Sequence, residues 1–234
     1  MLGMCISAMR DLSKGKKWDL LADGDNCLLF YEPVQEEAVL SRLPKTFLEF
    51  GHEVKVETPT SVLERVTFGQ SRPVKINGHY RMIRDPIKAI SGMGVGYRHY
   101  AELKGGLRVM KTIAQCELSL NTGVPVLQNY AASFLRDLSN VRLASSRVNM
   151  EDYRYEEVLK LEDPVLAKET QISAETRESF ELAWGLCPER QLELERITVT
   201  CPRSWGGVPI DGHPLGRLPG LMLRSPEEDA IWEY

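Results

Sequence analysis

The sequence has no apolar run that approaches the roughly 18 residues of a membrane-spanning helix. Residues 1–9 carry no basic leader of the kind that opens a secretory signal peptide. We therefore expect no intrinsic membrane span, and a chain that is cytosolic or that reaches a membrane through another component.

The cysteines form no Cys-x-x-Cys pair, and no histidine lies near one at metal-ligand spacing. An odd and scattered set predicts free thiols in a reducing compartment rather than a disulfide framework. The four histidines are equally scattered, so a zinc site is not expected. The five cysteines are Cys5, Cys27, Cys116, Cys187 and Cys201.

Internal repeats and low-complexity tracts are absent as well, and 43% of the residues are hydrophobic. Disorder is therefore not expected, and 234 residues suffice for one large or two small globular units. Only the segment after residue 198, which is rich in Pro and Gly, predicts an irregular tail.

Acids are scarce between residues 70 and 111, which hold nine Lys or Arg against Asp85 and Glu102. This stretch carries +7, so the rest of a chain of net charge −4 carries −11. Clustered cations in an acidic protein indicate local contact with a polyanion such as nucleic acid. A solvated face of mixed charge is the alternative, but it would interleave acids with the bases.

The sequence does contain a strong hairpin signal with acids at its tip. Residues 18–22 and 27–31 are apolar runs on either side of Asp23-Gly24-Asp25-Asn26. Gly24 accepts a positive φ at little cost, and the turn then follows the twist of the flanking strands. Carboxylates fixed on such a turn are suited to holding divalent cations against a phosphate.

Helical patterns lie on both sides of this hairpin. Residues 2–9 resemble the middle of a helix. Pro33 opens a second predicted helix at residues 34–50, which Pro44 kinks or splits and which Gly51 ends.

Strand and turn signals follow. Alternation at residues 52–57 predicts a half-buried strand. Residues 63–68 and 73–76 predict a second hairpin, and Asn77-Gly78 predicts a tight turn before a strand at 79–83. Beyond Asp85 the period becomes helical, with helices predicted at 97–114, 126–138 and 175–186, the last begun by Ser173 or Thr176.

Three interpretations of the acid tip compete. A calcium-binding loop is excluded, because Cys27 and Val34 stand where that loop needs an oxygen ligand and a bidentate Glu. An ordinary surface turn, in which Asp and Asn side chains cap their own backbone, remains open. So does a metal site for nucleotidyl transfer, and the tetrapeptide alone does not decide between these two.

The order of elements, together with three motifs, resembles the palm and thumb of viral RNA-dependent RNA polymerases. Gly24-Asp25-Asn26 resembles the catalytic motif C, residues 47–57 resemble motif D, and residues 66–74 resemble the primer-grip motif E. The similarity is greatest to the polymerases of tombusviruses and their relatives, and it extends to about residue 196. It includes segments 82–89, 118–128 and 173–180.

The resemblance implies an α+β fold in three parts. Residues 1–78 would form a partial palm of β-hairpins with a helix, carrying the end of motif B and motifs C, D and E. Residues 79–198 would form a mostly helical thumb, and residues 199–234 an irregular Pro/Gly-rich tail. Motif A and the fingers have no counterpart here, so we expect the chain to need an upstream palm and fingers portion and to be inactive by itself.

The implied activity is that of an RNA-directed RNA polymerase, a nucleotidyltransferase that replicates viral RNA. The implied cofactors are two divalent cations, Mg²⁺ or Mn²⁺. The implied partners are the RNA template, the nascent strand and nucleoside triphosphates. The implied location is the host cytoplasm, in a membrane-associated viral replication complex.

The resemblance also assigns catalytic roles. Asp25 would be a metal ligand and Asn26 a weaker or outer one, whereas Asp23 is expected to cap the turn. Lys55 would protonate the leaving pyrophosphate. The family has Gly-Asp-Asp where this chain has Asn26, so cation affinity should fall and the preference between Mg²⁺ and Mn²⁺ should shift. Motif B ends in Leu-Gly-Asn in the family, but this chain reads Leu2-Gly3-Met4.

RNA-binding roles fall on the basic stretch and on the second hairpin. Gln70 and Ser71 would steady the end of the primer. Arg72, Arg84 and Lys88 would hold RNA phosphates as the duplex leaves, in line with the local excess of positive charge.

Two other functions remain as alternatives. A non-catalytic RNA-binding or replicase-scaffolding protein would bind RNA through residues 70–111, and Asp25 would not matter to it. A metal-dependent nuclease or phosphatase would need further acids or histidines near the hairpin. The local candidates for that role are Asp19 and Glu32.

Overall fold

The computed structural model describes residues 2–13, 15–93, 103–142, 167–200, 204–205 and 208–209. The chain divides into two compact units, Met1–Arg72 and Pro73–Tyr234. Each unit combines helices with small two-stranded sheets, so the fold is a mixture of helices and strands, as predicted.

In the first unit, two helices pack against one face of a hairpin. Two 3₁₀ turns, Pro33–Gln35 and Leu63–Arg65, precede and follow the second helix. The regular elements are α1 (Leu2–Ser13), β1 (Trp18–Asp23), β2 (Asn26–Tyr31) and α2 (Glu36–Glu49).

Alternation along β1 sets the orientation of the hairpin. Trp18 and Leu20 turn towards the helices, whereas Asp19, Leu21 and Asp23 are exposed. Apolar side chains of the two helices fill the space beneath the inner face, which anchors the hairpin and leaves its acids in solvent. This core consists of Cys5, Ala8, Met9 and Leu12 from α1 and Val39, Leu43 and Phe47 from α2.

Helix α2 continues without a break past Pro44, so the split that was predicted as an alternative to a kink is wrong. Leu43 and Phe47 are both buried on either side of the proline, and their packing holds the helix together there. Gly51 ends the helix as predicted: it has φ 77°, its N–H donates to Leu48 O, and the N–H of His52 donates to Phe47 O at 3.0 Å.

Two strand predictions in the first unit are wrong. Residues 52–57 form no strand, because β1 and β2 pair only with each other within the described residues and offer this segment no hydrogen-bonding partner. Residues 63–68 begin as the 3₁₀ turn at Leu63–Arg65 and contribute a single bridge, between Phe68 and Ser71. A turn depends on the residues within it, whereas a strand also needs another strand to pair with.

The second unit is mostly helical and begins within a hairpin. The first strand of that hairpin starts at Ser71, just before the boundary between the units. The elements are β3 (Ser71–Ile76), β4 (His79–Arg84), α3 (Pro86–Met93), α4 (Leu103–Leu120), α5 (Leu127–Asp137), α6 (Ala174–Trp184), α7 (Pro188–Thr200), β5 (Ser204–Trp205) and β6 (Val208–Pro209).

Several local predictions for this unit are confirmed. Asn77 and Gly78 join β3 to β4 with φ values of 51° and 84°, the pattern of a type I′ turn. Ser173 caps α6 and accepts a hydrogen bond from Thr176 N at 3.1 Å. α5 lies where it was expected, but α7 was not predicted. Tyr97 and Tyr100, which belonged to the predicted helix 97–114, lie outside the described residues, as does most of the predicted tail.

Two apolar clusters form the core of the second unit. One joins Met93 of α3 to the facing sides of α4 and α5. The other places the inner face of the β3–β4 hairpin on α6 and on the turn that precedes α5; its members are Val74, Ile76, Ile83, Ala89, Val124, Leu127, Phe180 and Ala183.

The described cysteines are free thiols, as the scattered pattern predicted. They are Cys5, Cys27, Cys116 and Cys187. Cys201 lies outside the described residues.

Candidate functional site

The predicted acid tip lies at a tight two-residue turn. β1 pairs with β2 in register up to Asp23 opposite Asn26, so Gly24 and Asp25 are the two central residues. Gly24 has φ 59° and Asp25 has a negative φ, the pattern of a type II′ turn. The hydrogen-bonded strands on both sides therefore fix the backbone of Asp25, and its side chain is exposed.

Asp25 and Asn26 contact each other directly. The Nδ2 atom of Asn26 donates a hydrogen bond to Oδ1 of Asp25 at 3.2 Å. The amide thus presents its nitrogen to the carboxylate, and a half-turn about its terminal bond would present its oxygen instead. The structure brings these two predicted site residues together, and Asp23 pairs with Asn26 on the neighbouring strand.

The tip fits a hard divalent cation in the type of its donors but not in their number. A carboxylate and an amide oxygen are ligands that Mg²⁺ and Mn²⁺ accept. Among the residues that the structure describes, no group of three or more His, Cys, Asp or Glu side chains is close enough to hold a metal ion. Two cations would therefore need ligands beyond this hairpin.

The other acids of the hairpin are too distant to complete the site. Asp19 lies four residues before Asp23 on β1, which is about 13 Å along an extended strand. Its carboxylate accepts a hydrogen bond from Leu20 N at 2.8 Å. Glu32 follows the far end of β2. These positions weaken the nuclease and phosphatase alternative, because neither of its local candidates lies beside Asp25.

Lys55 lies in the irregular segment that follows α2, and its side chain is exposed. It is not on a strand, contrary to the prediction from alternation. Among the described hydrogen bonds and ion pairs, none joins Lys55 to the tip.

The second predicted site is a tighter turn at the start of β3. Gly69 and Gln70 both have positive φ, 56° and 62°, and Phe68 and Ser71 exchange two backbone hydrogen bonds across them. This is a type I′ turn with an exposed Gln70 at its tip. The Nε atom of Arg72 donates to Thr67 Oγ1 at 3.0 Å, which draws the guanidinium across the base of the turn.

Arg84 and Lys88 lie on either side of Asp85. Arg84 ends β4 and is half-buried, whereas Lys88 is exposed on α3. The Asp85 carboxylate accepts a hydrogen bond from Ile87 N at 2.9 Å and so caps α3. Among the described ion pairs, none joins Asp85 to either cation.

These features define an α+β protein with a rigid oxygen-donor tip in one unit and a basic hairpin in the other. The chain belongs to a family of viral polymerases: the family model described as "Viral RNA dependent RNA polymerase" matches residues 1–205. The predicted resemblance is thereby confirmed.

The relatives are polymerases of tombusvirus-like plant viruses. The "RNA-directed RNA polymerase" of Turnip crinkle virus is 29% identical over 83% of this chain and 25% of the relative. That of Tobacco necrosis virus (strain D) is 31% identical over 77% of this chain and 25% of the relative, and that of Melon necrotic spot virus is 26% identical over 86% and 25%. The chain therefore spans about a quarter of the length of these relatives.

No solved structure matches the chain significantly. Within the described residues, no helix is both long enough and apolar enough to cross a bilayer.

Proposed function

We propose that this chain forms the C-terminal palm and thumb portion of an RNA-directed RNA polymerase, which replicates viral RNA by template-directed nucleotidyl transfer. The observation that carries the proposal is the exposed carboxylate of Asp25 on a rigid turn, within a chain that belongs to the viral polymerase family. Residues 1–78 would be the palm part and residues 79–198 the thumb part.

The acid tip would bind divalent cations. Asp25 would be the charged ligand, and Asn26 would add a neutral oxygen once its amide turns. Bound Mg²⁺ or Mn²⁺ would supply activation of the primer hydroxyl and stabilisation of the departing pyrophosphate. The hairpin backbone contributes rigidity, because positioning provides much of the acceleration in phosphoryl transfer.

The turn at Gly69 and Gln70, the β3–β4 hairpin and helix α3 would contact RNA. Gln70 and Ser71 would steady the primer end at the type I′ turn, and Arg72, Arg84 and Lys88 would bind phosphates. Lys55, which is exposed, would protonate the pyrophosphate. This last role requires the segment after α2 to lie near the reacting phosphates in the complete enzyme.

The partners of the complete enzyme would be the RNA template, the nascent strand and nucleoside triphosphates. An upstream palm and fingers portion is a further proposed partner, and the chain covers only about a quarter of the length of the matched relatives. We further propose that the enzyme works in the host cytoplasm, in a membrane-associated replication complex.

The first experiment measures Mn²⁺ binding to the chain itself by paramagnetic broadening of its amide signals. Broadening is expected at residues 23–27, and Asp25→Ala should abolish it. Asp19→Ala is the matched control, because it removes an exposed acid from the same hairpin about 13 Å from Asp23. Broadening that survives Asp25→Ala would remove the tip from the metal site.

The second experiment measures primed RNA synthesis by a relative's polymerase whose matching quarter is replaced by this chain. Activity should vanish with Asp25→Ala and persist with Asp19→Ala. If this polymerase is active and stays active with Asp25→Ala, the catalytic assignment is wrong. RNA binding by the chain without any metal binding would instead favour the RNA-binding or scaffolding function, which the basic stretch at residues 70–111 supports.

A further inference from the structure

The turn between α4 and α5 contains a strained residue. Val126 has φ 66° and ψ −53°, and the N–H of Leu127 donates to Pro125 O at 2.7 Å. This geometry is a γ-turn of the rare, strained hand, and a β-branched side chain is poorly suited to it. Val126 is also buried, so the surrounding structure must impose the conformation.

A carboxylate from helix α7 holds this turn. The N–H of Val126 donates to Oε1 of Glu195 at 2.9 Å, although the two residues are 69 positions apart. Glu195 is 7% exposed and forms a two-point ion pair with Arg177 of α6, at 2.9 and 3.0 Å. Every oxygen of this buried carboxylate is thus engaged by a donor of fixed position.

Gln191 connects the same two helices. Its Nε2 atom donates to the carbonyl oxygens of Arg177 and Leu186, at 2.9 and 2.6 Å, and its Oε1 accepts from Arg177 at 3.3 Å. Gln191 is fully buried. The Arg177–Gln191–Glu195 network therefore fixes the position of the carboxylate that meets Val126.

The far side of the turn supports the β3–β4 hairpin. Arg81 of β4 donates from Nη2 to Thr122 O at 2.8 Å. Gly123, with φ 79°, lies so close to Ile76 of β3 that a Cβ atom there would stand 3.0 Å from Ile76 Cγ2. Val124 belongs to the same apolar cluster as Ile76. The turn therefore helps to position the hairpin, together with the hydrogen bond that Lys75 N of β3 donates to Ser179 Oγ of α6 at 2.8 Å.

We infer that Glu195 is a positioning residue for the β3–β4 hairpin: it holds the strained turn at Val126, and the turn sets the orientation of the strand that carries Arg84. The relevance of this coupling to RNA rests on the proposed function, which assigns that hairpin to the primer and its phosphates. Helix α7 would then control RNA contact without touching RNA.

Amide hydrogen exchange of the full chain tests the coupling without RNA. Glu195→Ala should raise exchange at residues 71–84 about tenfold, because the strained turn then relaxes. Glu195→Gln, which keeps an acceptor for Val126 N–H, should restore most of the protection. Glu193→Ala is the matched control, since that glutamate is exposed on the same helix and pairs with Arg190, and it should change nothing at the hairpin.

A double-substitution cycle separates positioning from general loss of stability. Val126→Gly removes the strain, so Glu195→Ala should have several-fold less effect on hairpin exchange in that background than in the original chain. Equal effects in both backgrounds would overturn the inference. A rise in exchange spread evenly over the unit, or confined to α7, would overturn it as well.

RNA affinity provides the second measurement. Glu195→Ala should weaken binding of a short primed RNA about tenfold, with Glu195→Gln close to the original chain. If the original chain binds no RNA, the proposed function fails while the exchange result still stands. If the chain binds RNA and Glu195→Ala changes neither exchange at residues 71–84 nor affinity, the positioning role fails and the proposed function survives.

Discussion

Among individual side chains, Asn26 has the largest consequence for the proposed chemistry. It stands beside Asp25 where the polymerase pattern has a second acid, and it donates a hydrogen bond to that carboxylate. An aspartate in its place would repel Asp25 in the metal-free chain, since like charges would then adjoin. In the proposed function, the amide would avoid that repulsion in the metal-free chain and would be a weaker cation ligand than an aspartate.

Asn26→Asp should therefore tighten divalent cation binding. One added charge about 4 Å from a divalent ion contributes on the order of 2 kcal/mol in water, which is more than tenfold in affinity. Titration of the isolated chain with Mn²⁺ and then with Mg²⁺ checks the change and the order of preference. An acid added two residues before Asp23 on β1, Leu21→Asp, is the comparison variant and should raise affinity much less, because it lies about 7 Å further from the tip; equal gains from both substitutions would contradict a site at the tip.

The buried thiol of Cys116 gives the stability of the chain a pH dependence. Burial in the core, with a smaller effect of the nearby Glu117 charge, raises the pKa of Cys116 from 9.0 to about 12. The thiol stays protonated in the folded chain while it ionises near pH 9 in the unfolded chain. Its contribution to stability is therefore complete below pH 9 and is lost between pH 9 and about 12.

The free energy of unfolding should fall by up to about 1.4 kcal/mol for each pH unit in that interval. Urea unfolding from pH 8 to pH 10.5 checks the slope. Cys116→Ala should make this slope less steep. The substitution also lowers stability at every pH, because it leaves a small cavity. Cys187→Ala is the control, because that thiol is exposed and its substitution should not alter the slope. An unchanged slope in Cys116→Ala would show that other groups cause the alkaline loss.

Among helices and strands, the turns were the most predictable elements. Gly24, Gly69 and Asn77-Gly78 lie at tight turns because each supplies a left-handed residue where the chain must reverse, and that requirement is local. Ser173 and Gly51 were recognised as helix ends for the same reason. The candidate site at Asp25 was therefore located from the sequence down to its turn.

Elements that depend on distant partners were not predictable in this way. The alternation at residues 52–57 satisfied the strand pattern, yet no described strand lies beside it. Helix α7 was missed for the opposite reason. The side chains that it buries most completely are Gln191 and Glu195, while Leu192 and Ile197 are exposed, so its apolar periodicity does not mark the packed face. Gln191 and Glu195 can be buried in α7 because they form hydrogen bonds with Arg177, and Glu195 also with Val126.

The type I′ turn at Gln70 allows one position to be tested both for its effect on stability and for the proposed RNA contact. A left-handed conformation costs an ordinary side chain about 1 kcal/mol, whereas Gly and Asn adopt it readily. Gln70→Gly and Gln70→Asn should therefore both raise the unfolding free energy by up to about 1 kcal/mol. Only Gln70→Gly should weaken binding of primed RNA, because Asn keeps an amide at the tip of the turn. Thermal unfolding and RNA titration check the pair of variants; full affinity in Gln70→Gly would remove Gln70 from the RNA contact.

For the chain as a whole, charge is divided along the sequence rather than mixed. Residues 70–111 carry +7 and the remainder carries −11, so the net value of −4 conceals a strongly basic stretch. The negative charge of the remaining residues disfavours non-specific binding of RNA to them, whereas the basic stretch attracts phosphates. The division into Met1–Arg72 and Pro73–Tyr234 places most of these cations in one unit and the acid tip in the other. RNA affinity and cation affinity should therefore be separable by substitution.

RNA binding by the isolated chain should depend steeply on salt. Each phosphate contact releases counterions and adds about 0.7 to 0.9 to the slope of log affinity against log salt. Arg84→Ala and Lys88→Ala should each reduce the slope by about 1 and weaken binding to all RNA sequences alike. Arg136→Ala is the matched control, because its guanidinium is paired with Glu169 on the surface outside the basic stretch, and it should leave the slope unchanged. Asp25→Ala should also leave it unchanged, since the role proposed for the tip is to bind cations and not phosphates directly. A slope that falls equally for Arg84→Ala and Arg136→Ala would show that RNA binds through diffuse charge rather than through the β3–β4 hairpin and α3.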